Sequence, residues 1–224
     1  MHARPDFHTA HNHLASALFT RSPEESITHS KLAMHLKPSE PENYFNLGAQ
    51  FQTRDSKVAE AYFRTALRHK PGYPEAYLSL AALFSSKQDT AAAIDAYKSA
   101  VRVAPRNAEI VAHAFVNIGS LLTDTATRLK YYKAAADAHP KHPQALNNVG
   151  MLTEAPREKE SWFQRAIEAA PHFPDPHFNM GHLHHFTQPQ RAMHHYRNAL
   201  ALRPNFPQAR NNLAVLVQEG HGRR

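Results

Sequence analysis

The sequence predicts an all-α solenoid of about six helical hairpins closed by a C-terminal helix, and three observations predict it. A proline returns at a nearly fixed interval: Pro38, Pro71, Pro105, Pro140, Pro171 and Pro204 lie 33, 34, 35, 31 and 33 residues apart. The last five close phrases of one form, such as Ala66-Leu-Arg-His-Lys-Pro71 and Ala166-Ile-Glu-Ala-Ala-Pro171. Between the prolines, apolar residues recur at i, i+3, i+4 and i+7, which is one stripe of a helix. A period of this length marks an array of small stacked units in place of one globular core. It also turns the question of function from a reaction to a binding surface.

The units follow in order. The first spans 8–38 and is the least regular, with Ser26 and Ser30 where larger residues stand in the others. Its second helix opens on Ser22-Pro-Glu-Glu25, which reads as a capping box with proline in the first turn. The second, 39–71, carries the stripe Tyr44, Leu47, Gly48, Phe51 and then Ala59, Phe63, Ala66. The third, 72–105, carries Tyr77, Leu80, Ala81, Phe84, a polar break over 85–90, and then Ala93, Tyr97, Ala100. The fourth, 106–140, has Phe115, Ile118, Gly119, Leu122, with extra residues before its first helix. The fifth, 141–171, has Leu146, Val149, Gly150 and a short turn at Glu154-Ala-Pro-Arg157, with Thr153 at an aromatic position. The sixth, 172–204, has His177, Met180, Gly181, His184. A helix over 207–218, polar through Gln208, Asn211, Asn212 and Gln218, reads as a cap. Residues 8–218 are thus one repeat domain, with a tail at 1–7 and a disordered tail at 219–224.

Four of the seven glycines, Gly48, Gly119, Gly150 and Gly181, share one phase of the first helix. Glycine there costs about 1 kcal/mol relative to alanine, so a repeated glycine implies a helix crossing too closely for a side chain. Ala66, Ala100, Ala135, Ala166 and Ala199 are the matching small residues of the second helix. Five junctions read Pro-x-x-Pro (Pro38/Pro41, Pro71/Pro74, Pro140/Pro143, Pro171/Pro174, Pro204/Pro207). The repeat phase accounts for them, because one proline stops a helix and the next starts another.

Composition narrows the function. There is no cysteine, which excludes disulfides, thiol catalysis and thiolate metal sites. No apolar run approaches the ~18 residues of a membrane span, and the N-terminus lacks a signal-peptide stretch, so cytoplasm is the default location. The net charge of +7 suits nucleic acid or acidic partners. The basic residues are scattered through the second half of each unit, however, which fits a solvated outer face better than a nucleic-acid site.

The phrase Tyr44, Leu47-Gly48, Phe51, Ala59, Phe63, Ala66, Pro71 resembles the signature of the tetratricopeptide repeat family, and the resemblance covers about 8–218. It implies a right-handed superhelix whose first helices line a concave groove. The residue before each Leu-Gly pair faces that groove: His13, Asn46, Ser79, Asn117, Asn148, Asn179 and Asn212. Asparagine is a poor helix former, yet it fills five of these seven places. A side-chain amide can pair with both the C=O and the N–H of a peptide unit. The row is similar to the asparagine-lined groove of the O-linked N-acetylglucosamine transferase arm. That resemblance makes Asn46, Asn117, Asn148, Asn179 and Asn212 a peptide clamp, with Asn12, Phe45, Asn147, Phe178 and Asn211 as neighbouring contacts. The lysines and arginines of a chaperone-tail clamp are missing at these sites.

Eighteen histidines is high, and His172, His177, His182, His184, His185, His194 and His195 are the densest group. His182 and His185, one turn apart and read as pointing inward near Asn179, are the weak candidates for a metal. His177 and His184 read as flat rings filling aromatic sites. No phosphate loop or nucleophile motif is present. The expectation is therefore a non-enzymatic adaptor without cofactor, binding a protein or peptide and no nucleic acid. Alternatives are a recruiting arm or subunit of a glycosyltransferase complex and, behind it, a basic nucleic-acid binder. The hairpin His8–Pro38 is a candidate surface for pairing with a second copy.

Overall fold

A computed structural model describes residues 7–222. They form thirteen α-helices and, among the described residues, no strand. The helices are α1 (Phe7–Leu18), α2 (Pro23–Leu36), α3 (Pro41–Phe51), α4 (Ser56–His69), α5 (Pro74–Ser86), α6 (Thr90–Val103), α7 (Ala108–Leu121), α8 (Thr125–Ala138), α9 (Pro143–Leu152), α10 (Pro156–Ala169), α11 (Pro174–His184), α12 (Pro189–Leu202) and α13 (Pro207–Gly222). They divide into two compact units, Met1–Ile110 and Val111–Arg224, with the division inside α7.

The prolines set the boundaries as the sequence requires. Pro41, Pro74, Pro143, Pro174 and Pro207 each begin a helix, where a missing N–H costs nothing. The second helices each end two positions before Pro38, Pro71, Pro105, Pro140, Pro171 and Pro204. The turn inside a hairpin is closed differently. Asp55, Asp89 and Asp124 stand before α4, α6 and α8, and each accepts one or two hydrogen bonds from first-turn N–H groups. Its bonds to Thr127 hold the Asp124 carboxyl below the usual carboxylate range. Ser22 stands at the same place before α2 but makes no side-chain cap bond, so the capping box does not form. The final helix runs on to Gly222, so residues 219–222 continue it and are not a tail. Residues 1–6 of the expected N-terminal tail lie outside the described residues, and Phe7 already belongs to α1.

The glycine phase has a physical cause that differs from the expected one. A Cβ on Gly48 would lie 2.6 Å from the Phe63 ring, on Gly119 2.5 Å from Tyr132, on Gly150 2.7 Å from Phe163 and on Gly181 2.6 Å from Tyr196. The close neighbour is thus a buried aromatic ring of the second helix, not the small alanine one turn further on. Each glycine is a socket for a ring. Those alanines are buried too: Ala66, Ala100, Ala135, Ala166 and Ala199 are fully enclosed.

The first hairpin lacks such a ring, because Ser30 occupies the place that Phe63 holds in the second. Gln50 of α3 compensates: its Nε2 donates to Ser26 Oγ at 3.0 Å and to Ser30 Oγ at 2.6 Å, and Ser26 Oγ donates to the Ala15 carbonyl at 2.7 Å. A buried polar cluster, bonded through Gln50 Nε2 while Gln50 Oε1 is left without a partner, stands in for an apolar contact.

Candidate functional site

The asparagines of the first unit turn inward to the protein itself. Asn12 is buried and donates to Asn43 Oδ1 at 2.7 Å, while Asn43 Nδ2 donates to the carbonyls of Ala33 and Lys37 at 3.0 and 2.9 Å. Asn46 completes the relay by donating to Asn12 Oδ1 at 3.3 Å. Asn12 therefore joins two successive repeats and is not offered to a partner. Phe45 lies against Phe63 and Tyr73, with ring centroids 5.8 and 5.2 Å away, and packs on the core around Ala66 and Ala76. It is half-buried packing.

In the second unit the same pairing recurs: Asn179 Nδ2 donates to the buried Asn147 Oδ1 at 2.8 Å, again between successive repeats. Asn117 donates to the carbonyl of His113 in its own helix at 2.8 Å, and Asn212 to Tyr196 Oη at 3.2 Å. Asn148 is half-buried and Asn211 is exposed.

Four of the expected residues come together in an open groove of about 760 Å³ formed by α9, α11 and the start of α13: Asn147, Asn148, Phe178 and Asn179. Its apolar wall comes from Met151, Phe173, Phe178 and Phe206, with the Phe178 and Phe206 rings tilted by 35° and their centroids 4.8 Å apart. Met151 is 53% exposed, a large apolar side chain held open to solvent. Gln144 and Gln208 add two more amides. At one end Asp175 accepts from Arg203 at 3.2 and 2.8 Å, and the Arg203 guanidinium lies over Phe206 at 4.8 Å. At the other, the buried His142 accepts from the Ala145 N–H through Nδ1 and caps α9. The lining holds one carboxylate, already paired, and no lysine or arginine.

Phe173, Phe206 and His142 were missed in the sequence. A signal existed: the third residue of the Pro-x-x-Pro junction is Tyr73, His142, Phe173 and Phe206 in four of the five. Each precedes a helix-starting proline and is placed to pack beside the next first helix. Met151 carried no signal, since its importance lies in its exposure.

The histidines sort into packing and surface. His177 and His184 are buried between α11 and α12, as flat rings would be. His182 is exposed, and His185 Nδ1 lies 3.2 Å from Tyr196 Oη, so the pair does not converge inward. Among the described residues no three histidine or acidic side chains are arranged to hold a metal. No described helix is long and apolar enough to cross a membrane.

A tetratricopeptide repeat family model matches residues 49–108, which span α4 and the hairpin α5–α6. The closing proline and the alanine five residues before it recur in the other hairpins, from Ala33 and Pro38 to Ala199 and Pro204. Residues 49–108 are tetratricopeptide repeat sequence. No curated protein matches the sequence. Among solved structures, the chain resembles pilF of Pseudomonas aeruginosa, with a TM-score of 0.78 and 15% identity over 93% of this chain and 97% of that one. It resembles yeast Tom70 with a TM-score of 0.73 and 15% identity, over 97% of this chain and 47% of that one. YrrB, a TPR protein described as having an unusual peptide-binding site, matches with a TM-score of 0.56 and 19% identity over 81% of this chain and 96% of that one. At these identities the likeness is one of fold, and the tetratricopeptide repeat is a protein-interaction fold.

Proposed function

We propose that this protein is a non-enzymatic interaction scaffold whose second unit holds a short segment of a partner protein in the α9–α11–α13 groove. The observation that carries the reading is the groove's lining: an apolar wall with an exposed methionine, facing amides and bearing no unpaired charge. Such a surface takes a segment with a large apolar side chain as anchor and hydrogen-bonds its backbone, and acidic sequence gains nothing there. Asn148 is the amide best placed to clamp. Asn179 assists, its orientation fixed because Nδ2 already points to Asn147. The peptide-binding site ascribed to YrrB supports this use of the fold.

Selection of a displayed random-peptide library on the full chain tests it. Enriched peptides should share one large apolar residue and lose at least about tenfold in affinity to the double variant Asn148→Ala, Phe178→Ala, with circular dichroism unchanged. Enriched peptides that bind that folded variant as well as wild type overturn the reading.

Pairing of two copies through the His8–Pro38 hairpin is a second part of the proposal, supported by Phe7 and Leu14, 62% and 46% exposed on α1. Sedimentation velocity checks it: a dimer abolished by Leu14→Asp supports the pairing, and a monomer at every concentration ends it.

A further inference from the structure

The sixth hairpin has an interior unlike that of the other hairpins. His177 and His184 of α11 are 9% and 3% exposed. The half-buried His195 of α12 lies between them, with ring centroids 5.8 Å from His177 and 6.4 Å from His184. The exposed His194 adds a fourth ring at 5.6 Å from His195. Nδ1 of His177 and Nδ1 of His195 are buried without a hydrogen-bond partner. His184 Nε2 faces Glu160 of α10 at 3.6 Å, but Arg191 of α12 already holds that carboxylate at 2.6 Å. A proton added to any of these three rings puts a positive charge into an apolar space beside other imidazoles and an arginine, with one shared carboxylate to answer it. Desolvation of that kind is expensive.

The same hairpin carries one side of the groove. Phe178 and Asn179 follow His177 directly in α11. Tyr196, next to His195, packs on Phe178 at 5.9 Å and accepts from Asn212 of α13. The ring that fills the Gly181 socket is this same Tyr196.

We infer that the α11–α12 hairpin is an acid-sensitive latch: protonation of His177, His184 and His195 parts α11 from α12 and withdraws Phe178 and Asn179 from the segment held in the groove. The last clause rests on the proposed groove function; the parting of the helices does not.

The titration supports the geometry. Burial is the largest cause that pushes all three imidazoles below the ordinary histidine value, and His195 falls to about 4, with His177, His194, Arg191 and His184 adding to the effect. For His184, Arg191 lowers and Glu160 raises; for His177, a hydrogen bond to the Pro171 backbone raises and His194 lowers. The sign follows. Between about 4 and the open-state value near 6.5, the opened hairpin binds more protons than the closed one. Closure is therefore undiminished above about 6.5 and weakens as pH falls through that window.

Hydrogen exchange of the full chain, corrected for the intrinsic pH dependence of the amides, tests this at pH 7.5 and 5.0. The opening constant of α11–α12 amides should rise at least about tenfold on acidification, while α5–α6, whose helices contain no histidine, stays within about twofold. Equal changes in both hairpins, or none in α11–α12, overturn the latch. His195→Gln, which keeps a polar side chain but cannot charge, should shrink the rise; because a variant here can fail to fold, the imidazole signals of wild type are followed too. His177 and His195 signals that titrate near 6.5 overturn the inference. A selected peptide separates the two readings. A peptide bound at pH 7.5 and equally at 5.0 with the hairpin closed ends the latch and leaves the groove. An acid-opened hairpin with no groove-dependent peptide ends the groove and leaves the latch.

Discussion

The contact between the first two repeats and the interior of the sixth hairpin solve one packing problem with opposite chemistry. Around α1–α3 the space is filled by Asn12, Asn43, Gln50, Ser26 and Ser30, whose amides and hydroxyls bond to each other and to backbone carbonyls. Between α11 and α12 it is filled by imidazoles, and Nδ1 of His177 and Nδ1 of His195 lack partners. The first arrangement is polar yet indifferent to pH, because none of its members ionises. The second is nearly apolar while neutral and becomes adverse once protonated. What separates the two is ionisation and not completeness, since Gln50 Oε1 is also buried without a partner.

The largest expected effect sharpens the first half of that contrast. Asn43→Ala removes three hydrogen bonds, two of them buried and one half-buried, and should cost about 3 kcal/mol in chemical denaturation. The cost should be the same at pH 7.5 and 5.0; a penalty that changes with pH breaks the comparison. Gly150→Ala drives a methyl into the Phe163 ring and should cost about 2 kcal/mol in spite of the better helix former. Ala81 holds the glycine phase in the third hairpin and Tyr97 the ring position, both buried, so Ala81→Gly should lose about 1 kcal/mol and no more. Asn179→Ala breaks an amide pair of the α1–α3 kind inside the second unit and should lose about 1 kcal/mol. Asn148 has no such pairing, and Asn148→Ala should fall within about 0.5 kcal/mol while still weakening peptide binding. Equal losses for Asn148 and Asn179 would mean that the two asparagines do not divide into a clamp and a brace.

The architecture was legible because period and proline position are written directly in the chain. Helix bounds at Pro41, Pro74, Pro143, Pro174 and Pro207 follow from the missing N–H alone. The site was legible in phase but not in detail. Asn148, Asn179 and Phe178 face the groove because their register demands it. Asn12 shares the inward side, yet its amide is captured by Asn43, and no period reveals which of two polar neighbours will bond. The aromatic of the Pro-x-x-Pro junction was overlooked because the prolines around it explained the motif too readily. The glycine socket was assigned to alanine because a small residue suggests a small partner, whereas a flat ring needs the same room.

Those sockets have a kinetic consequence. Gly48 meets Phe63, Gly119 Tyr132, Gly150 Phe163 and Gly181 Tyr196, partners only 13 to 15 positions apart along the chain. Chain segments this short meet quickly, and proteins dominated by near neighbours in sequence fold fast. Each ring-and-socket pair can close before its neighbours have formed. Folding can then begin at any of the four places and spread outward, so a lesion in one hairpin should leave distant nuclei able to form on their own schedule.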